Sequence, residues 1–141
     1  MDSFILGDDI KVMCVTATHF PEGITEAHIK LHSIVEKTDT RKYFGISAPN
    51  KNGVIIYKAA AEELFPGEAE SLGLDTFTIR HGAYMSFYLK DYRENIDGIA
   101  TAFKLLTGQQ EADPNGYCLE WYIGENDVKC LVPSGPENYP G

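Results

Sequence analysis

No run of lysine or arginine occurs in this chain, whose 12 basic residues are set against 21 acidic ones for a formal charge of -9. A nucleic-acid backbone requires a concentrated basic surface, so direct DNA or RNA binding is not expected. Long apolar runs are missing as well. The opening MDSFILGDDIK has no basic stretch and only a three-residue apolar run, which suits neither a secretion signal nor a membrane span. The expectation is a cytoplasmic protein without a membrane partner. Cysteine is scarce: Cys14, Cys118 and Cys130 form no CxxC pair and lie in apolar runs, as reduced core residues do. His28 and His32 stand at i, i+4 but have no third ligand at a recognised metal spacing, and the chain has no Gly-rich phosphate loop or flavin motif. Neither metal nor cofactor is expected.

What is present suits one domain of 141 residues, large enough for a core without staples. Residues 11–18, KVMCVTAT, read as a strand. Ile24, Ala27, Leu31 and Ile34 then recur at helical spacing, predicting an amphipathic helix over about 22–36. Residues 41–47 and 54–59 read as two more strands joined by the turn-forming 49–53. Residues 62–73, with Pro66, two glycines and four glutamates, read as a linker with room for a short helical turn. Beyond it come strands at 74–80 and 83–89, divided by His81-Gly82, and a second helix near 93–107 marked by Ile96, Ile99, Ala100, Phe103 and Leu106. The order βαββ thus recurs, with repeat one at about 10–61 and repeat two at about 74–134. The predicted class is α+β: duplicated βαββ units related by a pseudo-twofold, antiparallel sheets, both helices on one side and a ligand cleft between the repeats.

The most informative stretch is YCLEWYIGENDVKCLVP, residues 117–133, an apolar hairpin whose turn is Gly124-Glu125-Asn126-Asp127. Glu120 sits among apolar and aromatic neighbours. A carboxylate there must be protonated, hydrogen-bonded, or matched by a cation when a ligand arrives; the alternative is an edge position with the carboxylate in water. Alternation puts Cys118, Glu120 and Tyr122 on one face and Leu119, Trp121 and Ile123 on the other. An acid beside a phenol suits a flat cation, since rings attract it by cation–π contact and the carboxylate supplies charge. In residues 83–89, Tyr84, Ser86 and Tyr88 likewise share one face and Met85, Phe87 and Leu89 the other. Tyr92, Tyr117 and Tyr139 read as structural.

Several of these stretches are similar to one known family. TIRHGAYMSFYLKDY, the following helix, and YCLEWYIGENDVKCLVP with its Glu120-Trp121-Tyr122 and terminal Val132-Pro133 resemble the second half of the GyrI-like effector-binding family. KYFGIS before GVIIYKAAA is similar to its first repeat. That family includes ligand domains of bacterial multidrug-sensing transcription activators and stand-alone proteins of this size. The resemblance implies the duplicated fold, and an acid matching Glu120 at the base of an aromatic cleft, with Tyr84 and Tyr122 beside it. Trp121, Tyr57 and Tyr43 extend the candidate set. No DNA-binding helix-turn-helix accompanies the domain within these residues.

Three functions fit these residues. The first is a stand-alone small-molecule binding protein, sensing or sequestering amphipathic aromatic or cationic compounds. The second is a cofactor-independent hydrolase of strained electrophiles such as cyclopropanoids, an activity that the resemblance also suggests, with Glu120 as base and Tyr84 as hydrogen-bond donor. The third is a protein-binding module of gyrase-inhibitor type. Acids spread from Asp2 to Glu137 without a phosphate-like row give that last reading little support.

Overall fold

A computed structural model describes residues 1–95 and 97–135. Ile96, Glu137 and Tyr139, all used in the sequence reading, lie outside the described residues. The fold is α+β, with eight strands and three helices among the described residues: β1 (Asp2–Leu6), β2 (Ile10–Thr16), α1 (Ile24–Ile34), β3 (Tyr43–Pro49), β4 (Ile55–Glu62), α2 (Glu68–Leu72), β5 (Asp75–Ile79), β6 (Gly82–Leu89), α3 (Gly98–Thr107), β7 (Cys118–Ile123) and β8 (Asp127–Pro133). A 3₁₀ turn, Tyr92–Glu94, precedes α3. The pairings β1–β6, β2–β4, β2–β5, β3–β4, β6–β8 and β7–β8 are antiparallel.

The chain divides into two compact units. One comprises Asp9–Ile79; the other joins Met1–Asp8 to Arg80–Gly141. In the unit of residues 9–79, four strands run in the order β3-β4-β2-β5. Helix α1 turns Ala27, Leu31 and Val35 onto Met13, Val15, Ala59 and Ala61, which the registers Met13↔Ala61 and Val15↔Ala59 place on one face. Three consecutive alanines, Ala59, Ala60 and Ala61, are fully buried, so small residues keep the sheet close to its neighbours.

In the other unit the order is β1-β6-β8-β7. Here α3 lays Ala102 and Leu106 over Val128, Cys130 and Val132, with Met85, Phe87 and Leu89 of β6 and Cys118 and Tyr122 of β7 around them. The β7–β8 hairpin forms where the turn residues predict it, with Gly124 at φ 61°, a left-handed conformation that glycine adopts without strain. Cys14 and Cys130 are buried and Cys118 half-buried, all as thiols.

Two features depart from the sequence reading. The opening residues form a strand, β1, paired along its length with β6 from Asp2↔Ser86 to Leu6↔Gly82. Its alternation is hidden because β1 is a border strand with mostly exposed side chains. The segment read as a linker with a short helical turn has that turn as α2, but it also holds a buried ion pair that the reading missed. Glu68, one of its four glutamates, receives Arg41 through Nη1 at 3.0 Å and Nη2 at 2.9 Å, and also accepts the Leu64 amide at 2.9 Å. Arg41 further donates to the Glu36 and Glu62 carbonyls at 3.1 and 2.7 Å. The guanidinium holds Glu68 below the usual carboxylate range, through these hydrogen bonds first.

Candidate functional site

Glu120 is the buried acid that its surroundings imply: only 8% of it is exposed. Register Glu120↔Cys130 places it beneath the α3 side of its sheet, in a layer that includes Val128, Cys130, Val132, Met85 and Phe87. Such a layer has almost no capacity to solvate a charge, so the carboxylate must find protein partners. Tyr122, two residues along the same face, donates its hydroxyl to Glu120 Oε1. The Tyr122 ring in turn lies 5.8 Å from that of Tyr92, tilted by 50°. Carboxylate, phenol and second ring therefore form a continuous row. Cys130, directly opposite, has its thiol pushed up to about 12, by burial first and by the Glu120 charge second.

The other sequence candidates are not all gathered here. Register Tyr84↔Pro133, with Ser86↔Leu131 and Leu119↔Leu131, puts Tyr84 on the sheet face opposite Glu120. Strand β8 also separates β6 from β7, so the two residues are not cross-strand neighbours. A shared acid–phenol pair of Glu120 and Tyr84 is therefore not formed within this sheet, because period-2 alternation sends them to different sides. The Tyr84 hydroxyl is 2.5 Å from the Arg80 carbonyl, to which it donates, and 2.5 Å from the Tyr117 hydroxyl. Tyr117 in turn accepts the Arg80 amide at 3.1 Å. This ring of bonds fastens the chain just before the His81-Gly82 bend to the start of β7.

Trp121 shares Tyr84's face, opposite Lys129. Its ring meets Phe4 edge-on, at 6.0 Å and 86°. Tyr57 and Tyr43 belong to the other unit, on the face that α1 covers. Tyr57, 1% exposed, shares a 2.7 Å hydrogen bond with His28 Nε2 and stacks on Phe20 at 6.1 Å. Burial, with the His32 charge second, pushes His28 down to about 4, so the imidazole stays neutral at neutral pH. The Tyr43 ring lies 4.7 Å from that of His32, and its buried hydroxyl has no hydrogen-bond partner among the described residues. The i, i+4 histidines thus face two tyrosines. Among the described residues no cluster of three or more His, Cys, Asp or Glu could hold a metal ion.

Sequence reasoning missed Tyr92 as the second ring beside Tyr122, and also Lys129 and Phe4 on the opposite face. For Lys129 a signal existed: it alternates with Cys130 and Val128 in a strand whose other side is core.

No protein-family model matches this chain, and no curated protein matches it in sequence. Solved structures do resemble it. An integron cassette protein from the mobile metagenome of Vibrio cholerae aligns over 94% of both chains with a TM-score of 0.70 at 13% identity. The protein SAV2435, solved bound to tetraphenylphosphonium, aligns over 96% of this chain and 94% of its own, with a TM-score of 0.63 at 12% identity. A candidate bacterial transcription regulation protein from Staphylococcus aureus MU50 aligns over 95% and 97%, with a TM-score of 0.58 at 12% identity. At these identities the likeness is one of fold.

Proposed function

We propose that this chain is a small-molecule binding protein of the GyrI-like effector-binding kind, taking amphipathic aromatic or cationic compounds to sense or sequester them. The observation that carries the reading is Glu120: a buried carboxylate bonded to the Tyr122 phenol, with Tyr92 next to that ring, on an otherwise apolar sheet face. A delocalised cation meeting that row gains charge pairing in a low dielectric and ring contact together. The fold supports it, since SAV2435, of similar fold, was solved with tetraphenylphosphonium, a lipophilic cation. We read the two units as one effector-binding domain made by duplication. The matching strand orders β3-β4-β2-β5 and β7-β8-β6-β1 support that reading.

The test is a pair of titrations, tetraphenylphosphonium and the neutral triphenylphosphine oxide, against wild type and Glu120→Gln. Glutamine keeps the shape and an acceptor for Tyr122 while removing the charge. The cation should lose on the order of 2 kcal/mol, about thirtyfold in Kd, and the neutral compound much less. The variant's own stability should be equal or higher, because a buried charge is costly to hold. Equal losses for both ligands, or none for either, would show that Glu120 does not select charge.

A further inference from the structure

The face of the β1-β6-β8-β7 sheet opposite α3 carries a charge of the other sign. Lys129 sends its ammonium over the Phe4 ring, 3.9 Å from the centroid, and Phe4 meets Trp121 edge-on. The register Trp121↔Lys129 sets the lysine directly across from the indole. No carboxylate among the described residues lies within ion-pair distance of this ammonium, in a chain with 21 acids and 12 bases. The same-face acid two residues away is already engaged, for Asp127 accepts the Tyr88 hydroxyl at 2.6 Å and the Asp91 amide at 3.1 Å. Lys129 is thus half-buried, its ammonium held over a ring, and has three donors that no acid among the described residues takes as an ion pair.

The arrangement occurs twice. In the other unit Lys58 stands over Phe77 at 5.6 Å, again on the face away from the helix and again without an acid at ion-pair distance among the described residues. The strands that supply the rings read Asp2-Ser3-Phe4-Ile5-Leu6 and Asp75-Thr76-Phe77-Thr78-Ile79, alike in residue type at four of five positions, with Ile5 against Thr78 the exception. Each lysine lies on the second strand of its unit's order, two strands from the ring strand. A surface lysine that mattered only for solubility would have no reason to keep a phenylalanine beneath it in both units.

We propose that Lys129, Phe4 and Trp121 form a seat for planar aromatic anions, a carboxylate or sulfonate carried on a fused or single ring. The ammonium pairs with the anion while the ligand ring packs against Phe4 and Trp121. Because the cation–π contact already positions the ammonium over Phe4, less side-chain entropy remains to be lost on binding. The site is independent of Glu120 and opposite in charge preference. One sheet then offers a cation-selecting face and an anion-selecting face.

Trp121 is the sole tryptophan, so its fluorescence reports on this seat directly. Wild-type protein is titrated with naphthalene-2-sulfonate, its neutral sulfonamide, and naphthylmethylammonium. The sulfonate should bind saturably and alter Trp121 emission, and its affinity should fall as salt is raised to about physiological strength. Lys129→Met, which keeps the stem, should weaken the sulfonate about tenfold and leave the sulfonamide nearly unchanged, whereas Lys129→Arg should retain binding. Circular dichroism melts of both variants show whether they remain folded, and the salt dependence stands on wild type alone. Absence of saturable sulfonate binding, equal affinity in Lys129→Met, or preference for the ammonium compound at Trp121 would overturn the proposal.

Discussion

Mild acid should weaken this protein before its carboxylates begin to titrate, with His28 as a principal cause. In the fold the imidazole is held neutral, at about 4 against an ordinary value of 6.5, because the layer between α1 and the sheet cannot solvate an imidazolium. An unfolded chain binds the proton at 6.5, so between 6.5 and about 4 the unfolded state carries more protons and stability falls as pH falls. The contribution is complete above 6.5 and gone below about 4. At 1.36 kcal/mol per unit the depression is worth about 3 kcal/mol, a large part of the 5–15 kcal/mol that holds a domain together. Urea unfolding midpoints followed by circular dichroism from pH 7.5 down to 4.5 would record it. Glu68 also loses its contribution on acidification, but only as pH falls from 4.5 towards its depressed value, below most of this window. His32 is depressed too and adds in the same direction. The discriminating protein is therefore His28→Gln, whose amide can still accept the Tyr57 hydroxyl but does not titrate. Its stability should fall less steeply than wild type across 6.5 to 4.5. Parallel profiles for the two proteins, or a flat wild-type profile in that window, would refute the reasoning.

Three further outcomes follow from named contacts. Arg41→Met should cost about 3 to 5 kcal/mol because it leaves Glu68 buried and charged, and adding Glu68→Leu should recover much of that loss; denaturant midpoints of the two single variants and the double variant check it. Tyr84→Phe and Tyr117→Phe should each cost about 1 kcal/mol and together less than their sum, since both cut one hydrogen-bonded ring; strict additivity in the double-mutant cycle would argue against that ring. Towards a thiol reagent at neutral pH, half-buried Cys118 should react first. Cys14 and Cys130, buried and pushed up to about 11 and about 12, should follow only as the protein opens; mass spectrometry of timed samples reads the order.

The long elements were legible because burial writes a period into them. Ala27 and Leu31 of α1, the β2, β4 and β8 runs, and the Gly124 hairpin all follow from spacing and turn chemistry. Strand β1 was not legible, because a border strand with Asp2, Ser3 and Ile5 exposed has no buried face to reveal. Glu68 was hidden for a different reason: four glutamates in a row of turn residues look alike until Arg41, 27 residues earlier in sequence, is brought to one of them. Within the candidate site, alternation correctly linked Glu120 to Tyr122. It could not reveal that β8 would lie between β6 and β7, and so it could not say which side of one strand matched which side of the other.

That same ladder supplies an argument about why Glu120 is present. Under the proposed duplication, with Lys58 set against Lys129, the next residues, Ala59 and Cys130, oppose Gly45 and Glu120 respectively. Where one unit has no side chain, the other has a buried acid. Two positions away the pattern shifts again: Tyr57 opposes Ser47 in the first unit, while Val128 opposes Tyr122 in the second. The phenol has moved from one strand to its partner, next to the acid. Tyr57 meets an imidazole that burial keeps neutral, so its layer can form without holding a charge at neutral pH. On the proposed duplication, the first unit packs its helix onto this face with glycine and a neutral phenol–imidazole pair, so folding alone does not require a carboxylate there. The acid adds desolvation cost to the second unit without being needed for its architecture, which is the pattern expected of a group retained for what it binds. Glu120→Gly, the residue found at the matching place, tests this directly: the protein should still fold cooperatively, though less stably for the lost packing, and should lose its preference for cations over neutral ligands. A variant that cannot fold, together with a Glu120→Gln that is also markedly destabilised, would mean the carboxylate holds the sheet together and the argument from its neighbour fails.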